Sequence, residues 1–556
     1  MALSLDTQLI DATPAEARLD MPVQDLKSWP GRPASVGNGR DVTVARIFVF
    51  GTSALITALG TWKMYQVISP VNVTALQVLF ATFFALTFAW IAFSCASAIL
   101  GFWVLMRGKL RDPRLSDVSG IGRTALLMPV YNEDPERVFT ALSRMGLALR
   151  REGVARNFDI FVLSDTRQEH IAAAEREAFI WLQRKLSPAI KVYYRRRENN
   201  HHRKAGNIAD FVTRWGGAYD HMVVLDADSD MSAPAMITLA RAMAADPKAG
   251  IIQSLPLLHN RWTPFARMTQ FAGRVYGPLV AAGLAAWHGR DGNYWGHNAI
   301  IRTKAFAEAA GLPELTGRKP FGGHVLSHDF IEAALIRRAG YAVYMLPELH
   351  GSYEETPPSL IDLATRDRRW AQGNLQHMKI VGAKGLHWVS RVHLIQGIMS
   401  YLASPLWLLL LMAGLILATL ARPTTPNYFP DRFSLFPVWP VFDPELALRL
   451  FALTFGVLYL PKLLALVLAL TDRELRRGCG GVTGLFKSVL AETFVSMLLS
   501  PVMMLIQSRF VADVLLGRDS GWNAQNRDDQ AMPFAACAGR HAFHVVAGLG
   551  FAVLSF

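Results

Sequence analysis

Asp226-Ala-Asp228 closes the apolar run Met222–Leu225. Two carboxylates two positions apart on an extended segment can share one divalent cation, directly or through water. Hard ions such as Mg2+ or Mn2+ take oxygen ligands, and commonly bind one or two carboxylates together with substrate phosphates. An ion on Asp226 and Asp228 would neutralise a diphosphate leaving group. Asp-x-Asp is also common in solvated turns. The apolar strand before it and the groups described next favour the ion.

The stretch from Arg195 to Asn207 carries Arg195, Arg196, Arg197, His201, His202, Arg203 and Lys204. Such a loop can be plain basic surface, and it also suits a nucleoside diphosphate. No aromatic ladder accompanies it, so nucleic acid is not an expected partner. Ser327-His328-Asp329 precedes a helical run. A lone aspartate there is most often an N-cap. It can also act as a general base that takes a proton from an incoming hydroxyl. Arg366, Arg369 and Trp370 share one helix face at three- and four-residue spacing. One reading is an interfacial basic helix anchored by tryptophan. The other is an arginine on a diphosphate and a tryptophan platform under a sugar ring.

These groups need a scaffold. Strand-length apolar runs start at Thr124, Phe158, Ile190 and His221, and helix-compatible segments cover Pro135–Arg150, Glu169–Lys185 and Pro234–Ala245. The alternation predicts an α/β domain, with a mostly parallel sheet and helices on both faces. Ligands of such sheets bind at the carboxyl ends of the strands. Asn132-Glu133, Asp165 and Asp226 fall there. No glycine-rich phosphate loop is present, so a nucleotide would be held by carboxylates, metal and basic side chains.

Of 556 residues, 51% are hydrophobic and 18% charged. That composition excludes a disordered chain and argues against an ordinary soluble enzyme. Cys95, Cys479 and Cys537 have the spacing of neither a disulfide framework nor a zinc site. A bilayer-spanning helix needs about 20 apolar residues. Ile47–Ile68 and Leu76–Met106 qualify, and a basic run follows from Arg107. Basic loops stay inside, so residues 1–46 read as a cytoplasmic, disordered tail and 47–106 as two spans. Residues 107–393 read as a cytoplasmic domain and 394–470 as two further spans. Ser488–Leu516 contains Glu492 and Arg509, breaks at Ser500-Pro501, and leads to Arg518, Arg527 and Arg540. It is therefore read as two interfacial helices within a cytoplasmic segment 471–540. Residues 541–556 read as a last short span without a polar tail, as in a truncated chain.

Taken in order, Pro129-Val-Tyr-Asn-Glu133, Ser164-Asp165, His202–Asn207, Asp226-Ala-Asp228, Ser327-His-Asp329 and Arg366-x-x-Arg369-Trp370 resemble the membrane-embedded, inverting family 2 glycosyltransferases. That group includes the cellulose and hyaluronan synthases. Met128–Pro135, Asp367–Asn374 and Trp522–Asp529 are most similar to the glucosyltransferases of osmoregulated periplasmic glucan synthesis. The resemblance implies a GT-A domain inserted between transmembrane helices. It implies UDP-glucose as donor, a β-1,2 glucan acceptor, Mg2+ or Mn2+, and the bacterial inner membrane as the setting. By the same resemblance, Tyr131, Glu133 and Asp165 hold uridine, Lys204 meets the diphosphate, Asp226 contacts nucleotide and Asp228 the metal. Gly296, His297 and Asn298 line the acceptor site with Trp370 and Arg366. Asp329 is the base, Arg369 steadies departing UDP, and 521–530 forms a gating loop. A periplasmic glucan-modifying protein and an acyl carrier protein are implied partners. Two departures stand out: Arg366 replaces the usual Gln, and His328 the usual Glu. Cellulose-, chitin- or hyaluronan-type synthesis and a polyprenyl-phosphate acceptor remain alternatives. A transporter with a nucleotide-binding domain would show repeats among the spans, and none is seen.

Overall fold

The computed structural model describes residues 13–29, 31, 35–68, 74–108, 120–421, 444–519 and 533–555. Two long helices come first, α1 (Arg40–Ile68) and α2 (Ala75–Met106). The α/β domain begins with β1 (Thr124–Val130), α3 (Pro135–Arg151), β2 (Phe158–Ser164), α4 (Glu169–Leu186), β3 (Lys191–Arg196), α5 (Arg203–Trp215) and β4 (His221–Val224). It continues through β5 (Asp230–Met231), α6 (Ala233–Ala245), β6 (Ala249–Ser254), β7 (Leu257–Leu258), α7 (Pro264–His288), β8 (Ala299–Arg302) and α8 (Thr303–Ala309). It closes with α9 (His328–Arg338), β9 (Ala342–Leu346), β10 (Ser352–Glu354) and α10 (Leu360–Gln376). Then follow α11 (Trp388–Ala421), α12 (Pro444–Thr471), α13 (Arg473–Gly478), α14 (Gly481–Leu515) and α15 (Phe534–Ser555).

Side chains of a strand alternate between sheet faces, and β1 feeds two cores in this way. Leu126, Met128 and Val130 pack with Phe139 and Leu142 of α3, Leu182 of α4 and Met236 of α6. Ala125 and Leu127 enter the opposite core, with Phe211 and Trp215 of α5, Phe306 of α8 and Ile336 of α9. The main sheet runs β3-β2-β1-β4-β8-β6-β9. Strand β8 is antiparallel to both β4 and β6, and the other pairings are parallel. The mostly parallel sheet read from the sequence is therefore present, extended by three strands. A second sheet, β5-β10-β7, lies beside the Asp226–Asp228 turn.

Among the described residues, α1, α2, α11, α12, α14 and α15 are long and apolar enough to cross a membrane. The domain also meets α2 through α7. A Cβ on Gly101 would collide with the Leu279 carbonyl, and one on Gly283 with that of Ser97. Only glycine lets the two backbones come this close.

Three expectations change. The segment before α1 is not loose where described. Ala17 N–H donates to the Arg214 carbonyl at 2.8 Å and Gln24 N–H to that of Gly311 at 2.9 Å. The Trp29 ring lies under the Arg338 guanidinium, 4.4 Å away. A proline-bearing strap held by backbone bonds has no periodicity to read. Second, 488–516 is not two helices: α14 runs unbroken through Pro501. Proline removes a single backbone bond, and packing on α11 and α12 supports both halves. Glu492 is compensated by Lys462 Nζ at 2.7 Å, Tyr276 OH at 2.7 Å and Ser496 Oγ at 2.6 Å. Third, the last helix begins at Phe534 rather than 541. The loop 521–530 lies outside the described residues.

Two buried histidines make the domain acid-sensitive. Burial pulls His221, at the start of β4, down to about 4, with Arg302 adding to the effect. Burial does the same to His377 after α10, again to about 4. Their unfolded values lie near 6.5, so the unfolded chain takes up protons first. The stability these two rings contribute should be complete above pH 6.5 and lost as pH falls toward 4, on the order of 3 kcal/mol per histidine. Melting in detergent at stepped pH should show this fall, and His221→Asn should flatten part of it.

Candidate active site

Successive strand ends bring the acidic and basic groups together. The end of β1 is stitched to that of β2. Asn132, at φ +52°, accepts at Oδ1 from the N–H groups of Arg167 and Gln168, at 3.0 and 3.2 Å. Its own N–H donates to Thr166 Oγ1 at 3.0 Å. Tyr131 and Glu133 flank it, both half-buried. Beneath, the buried Glu175 accepts from Ser164 Oγ, Thr166 Oγ1 and Tyr194 OH at 2.6–2.9 Å. That carboxylate fixes the strand end carrying Asp165. Asp165 itself is gripped by Arg197, Nε to Oδ1 at 2.7 Å and Nη2 to Oδ2 at 2.6 Å. Asp165 is buried and Arg197 is half-buried. Asp165 therefore serves first as the anchor of the basic loop, through a residue the sequence reading left unassigned.

Chain reversal after β4 places Asp226 in a turn, where Ser229 N–H donates to the Asp226 carbonyl at 2.8 Å. Lys204, in the first turn of α5, pairs with Asp226 and also donates to the Gly296 carbonyl at 2.7 Å. Gly296 adopts φ +94°, and a Cβ there would stand 3.2 Å from Asp329 Oδ2. Lys204, Asp226, Gly296 and Asp329 thus share one small volume, although they come from four distant stretches of chain.

His297 continues the cluster. Its Nε2 lies 2.7 Å from Glu354 Oε2, and its Nδ1 3.6 Å from Asp226 Oδ2. Burial opposes a charge on this ring, but the Glu354 and Asp226 carboxylates outweigh it and push the pKa up to about 9. Asn298 stands behind the site. It is fully buried, at φ +50°, with its amide donating to Ser352 Oγ and the Tyr353 carbonyl, both at 3.1 Å. Through these bonds it joins the two sheets.

Asp329 lies in the first turn of α9, half-buried, and accepts from Ser327 Oγ at 3.1 Å. His328 turns inward to Glu332, 3.0 Å away, which raises its pKa against burial. The Ser327 loop rests on α10. A Cβ on Gly373 would meet Ser327 N at 2.7 Å. Gln376 accepts from Leu326 N–H at 3.0 Å and donates to the Pro320 and His324 carbonyls at 3.1 Å. On the same helix the Arg366 guanidinium stacks 4.2 Å over the exposed Trp370 ring, while Arg369 is half-buried. Helix α10 is tied in turn to the end of α14. Arg368 Nη2 donates to the Arg518 carbonyl at 2.8 Å, and Gln372 Nε2 to Asp519 Oδ1 at 2.9 Å.

Asp226 and Asp228 fit Mg2+ or Mn2+ by donor chemistry, because the turn offers carboxylate oxygens. Lys204 and His297 already balance Asp226. Among the described residues, the side chains that stand close enough together to hold a metal ion are others: His201, His202, Glu314 and His324. Glu354, Arg197, Gly373 and Gln376 were missed because no local pattern marks them.

The family model described as Glycosyl transferase family group 2 matches residues 221–468, from β4 into α12. A glucans biosynthesis glucosyltransferase H from Vibrio cholerae serotype O1 is 49% identical over 549 residues, covering 98% of this chain and 76% of that one. Its namesake from Shewanella putrefaciens is also 49% identical, covering 99% and 77%. A mannosyltransferase from Pyrobaculum calidifontis, solved with GDP-Man and Mn2+, aligns at 14% identity and TM-score 0.42, over 75% of this chain and 99% of that one. A likeness this low carries no residue roles across. With a mixed sheet of GT-A type between apolar helices, this chain belongs to the glucans biosynthesis glucosyltransferase H family, membrane glycosyltransferases that transfer glucosyl groups in glucan synthesis.

Proposed function

We propose that the chain transfers glucose from UDP-glucose to the end of a growing β-linked glucan, β-1,2 by family resemblance, and passes the product toward the periplasm. The supporting observation is the Lys204 ammonium, held between Asp226 and the Gly296 carbonyl with Asp329 against the same glycine. A cation suited to a diphosphate thus sits beside a carboxylate able to act as base.

In this reading the acceptor hydroxyl attacks the anomeric carbon as its proton passes to an Asp329 carboxylate oxygen. The bond to the UDP oxygen breaks, and Lys204 and Arg369 meet the charge that develops there. One displacement inverts the centre and gives the β linkage, with no covalent enzyme intermediate. Mg2+ or Mn2+ on Asp226 and Asp228 would supply further neutralisation of the diphosphate. Tyr131 and Glu133 would flank the uridine, with Trp370 under the acceptor sugar. The domain would face the cytoplasm of the inner membrane. A polar glucan needs a protein-lined way through hydrocarbon, which α11, α12 and α14 would border.

Membranes carrying the chain, offered several UDP-sugars, should release UDP fastest from UDP-glucose and build a glucan whose linkage analysis reports β-1,2 bonds. Chelation should stop release, and Mg2+ or Mn2+ should restore it. Faster release from another UDP-sugar, or undiminished elongation after chelation, would overturn the reading.

A further inference from the structure

Beside the site lies a second cluster that the mechanism does not use. His201 and His202 come from the loop before α5, and Glu314 and His324 from the segment before α9. One ligand atom from each falls within 4.8 Å of all the others. Glu314 Oε1 stands 3.3 Å from His324 Nδ1, 3.8 Å from His202 Nε2 and 4.0 Å from His201 Nε2. The three imidazole centroids are 4.1–4.9 Å apart.

Both halves are held in place. Arg197, which grips Asp165, also donates to the His201 carbonyl at 3.2 Å and to that of Arg203 at 2.9 Å. Across from it, Leu315 and Gly323 exchange backbone bonds at 2.8 and 2.9 Å, which sets Glu314 and His324 side by side. Gln376 steadies the His324 carbonyl at 3.1 Å. The His201 and Glu314 side chains are more than half exposed, so an ion can enter from solvent.

We propose that His201, His202, Glu314 and His324 bind one Zn2+, separate from the Asp226–Asp228 turn, and that this ion clips the loop leading to Lys204 onto the segment leading to Asp329. Three nitrogens and one carboxylate oxygen match zinc, which takes four ligands in a tetrahedron, and match Mg2+ or Mn2+ poorly. Metal–ligand bonds of about 2.0–2.1 Å would draw the ligand atoms to roughly 3.3 Å apart. Side-chain rotation would close the existing spacing to that. Short-range cysteine or histidine spacing gives no hint of it, since the two pairs lie on segments far apart in the chain.

The full chain, purified in detergent without a polyhistidine tag and stripped of metal, should take up one Zn2+ per chain in competition with a fluorescent chelator. Excess Mg2+ should not displace it. Glu314→Gln and His324→Asn should each weaken zinc by at least about tenfold, whereas Asp228→Asn should leave it unchanged. X-ray absorption of the zinc-loaded parent should show nitrogen and oxygen neighbours with imidazole scattering. That measurement stands even if a variant folds poorly. Negligible uptake by the parent would overturn the proposal. So would unaltered affinity in both cluster variants, loss only in Asp228→Asn, or an all-oxygen shell. None of these readouts depends on sugar transfer, so the proposed activity and the zinc site fail separately.

Discussion

Asp329→Asn should lower glucosyl transfer by about 10²–10⁴-fold, the usual contribution of a positioned general base, while UDP should still bind. The substitution keeps the shape at the head of α9, and asparagine can still accept from Ser327 Oγ, so the loop on α10 should stay in place. What it removes is the oxygen proposed to take the acceptor proton next to Gly296. UDP binding by calorimetry and UDP release with acceptor present separate the two effects. Near-normal turnover in this variant would remove Asp329 from the reaction. Loss of UDP binding together with turnover would make it a structural residue.

Lys462→Met carries the second large effect, and it acts on stability. Glu492 is buried, and its one basic partner among the described residues is Lys462 at 2.7 Å. Breaking a buried pair by removing one partner costs about 3–5 kcal/mol, because a charge is left uncompensated. The fall should be visible as early melting in detergent. Tyr276 and Ser496 still donate to the carboxylate, which sets the loss toward the lower end. The double variant Lys462→Met with Glu492→Gln should recover most of it, since no charge then remains. A single variant as stable as the parent would mean that the pair is solvated rather than sealed between α12 and α14.

Much of the α/β domain was readable because its signals are local. Apolar runs of strand length ending in or just before Asn132-Glu133, Asp165 and Asp226 predict β1, β2 and β4 and their acidic tips, and all three strands are found. The strand β8 was not readable, as four residues in an apolar region carry too little pattern. The site was legible as a set of residue types but not as a set of contacts. Lys204, Gly296 and Asp329 meet only through the topology. Glu354 sits next to Glu355 in a short polar run, and nothing local says which of the two turns toward His297. Gly373 is one glycine on a helix until Ser327 is seen against it. Pro501 misled in the opposite direction. A proline between apolar halves suggests a break, yet neighbouring helices hold α14 straight enough to continue. The strap before α1 was invisible because main-chain bonds leave no trace in side-chain order.

The attachment of α10 to the end of α14 gives the surrounding lipid a lever on the chemistry. Helix α14 is 35 residues long, about 50 Å at the usual rise, which exceeds the thickness of a hydrocarbon core. Such a helix leans to fit its bilayer. Its far end holds Arg368 and Gln372, one turn from the glycine on which the Ser327 loop rests. Thinner or thicker acyl chains would alter that lean and shift the seat of Asp329, so the same enzyme reconstituted in lipids of different chain length should work at different speeds.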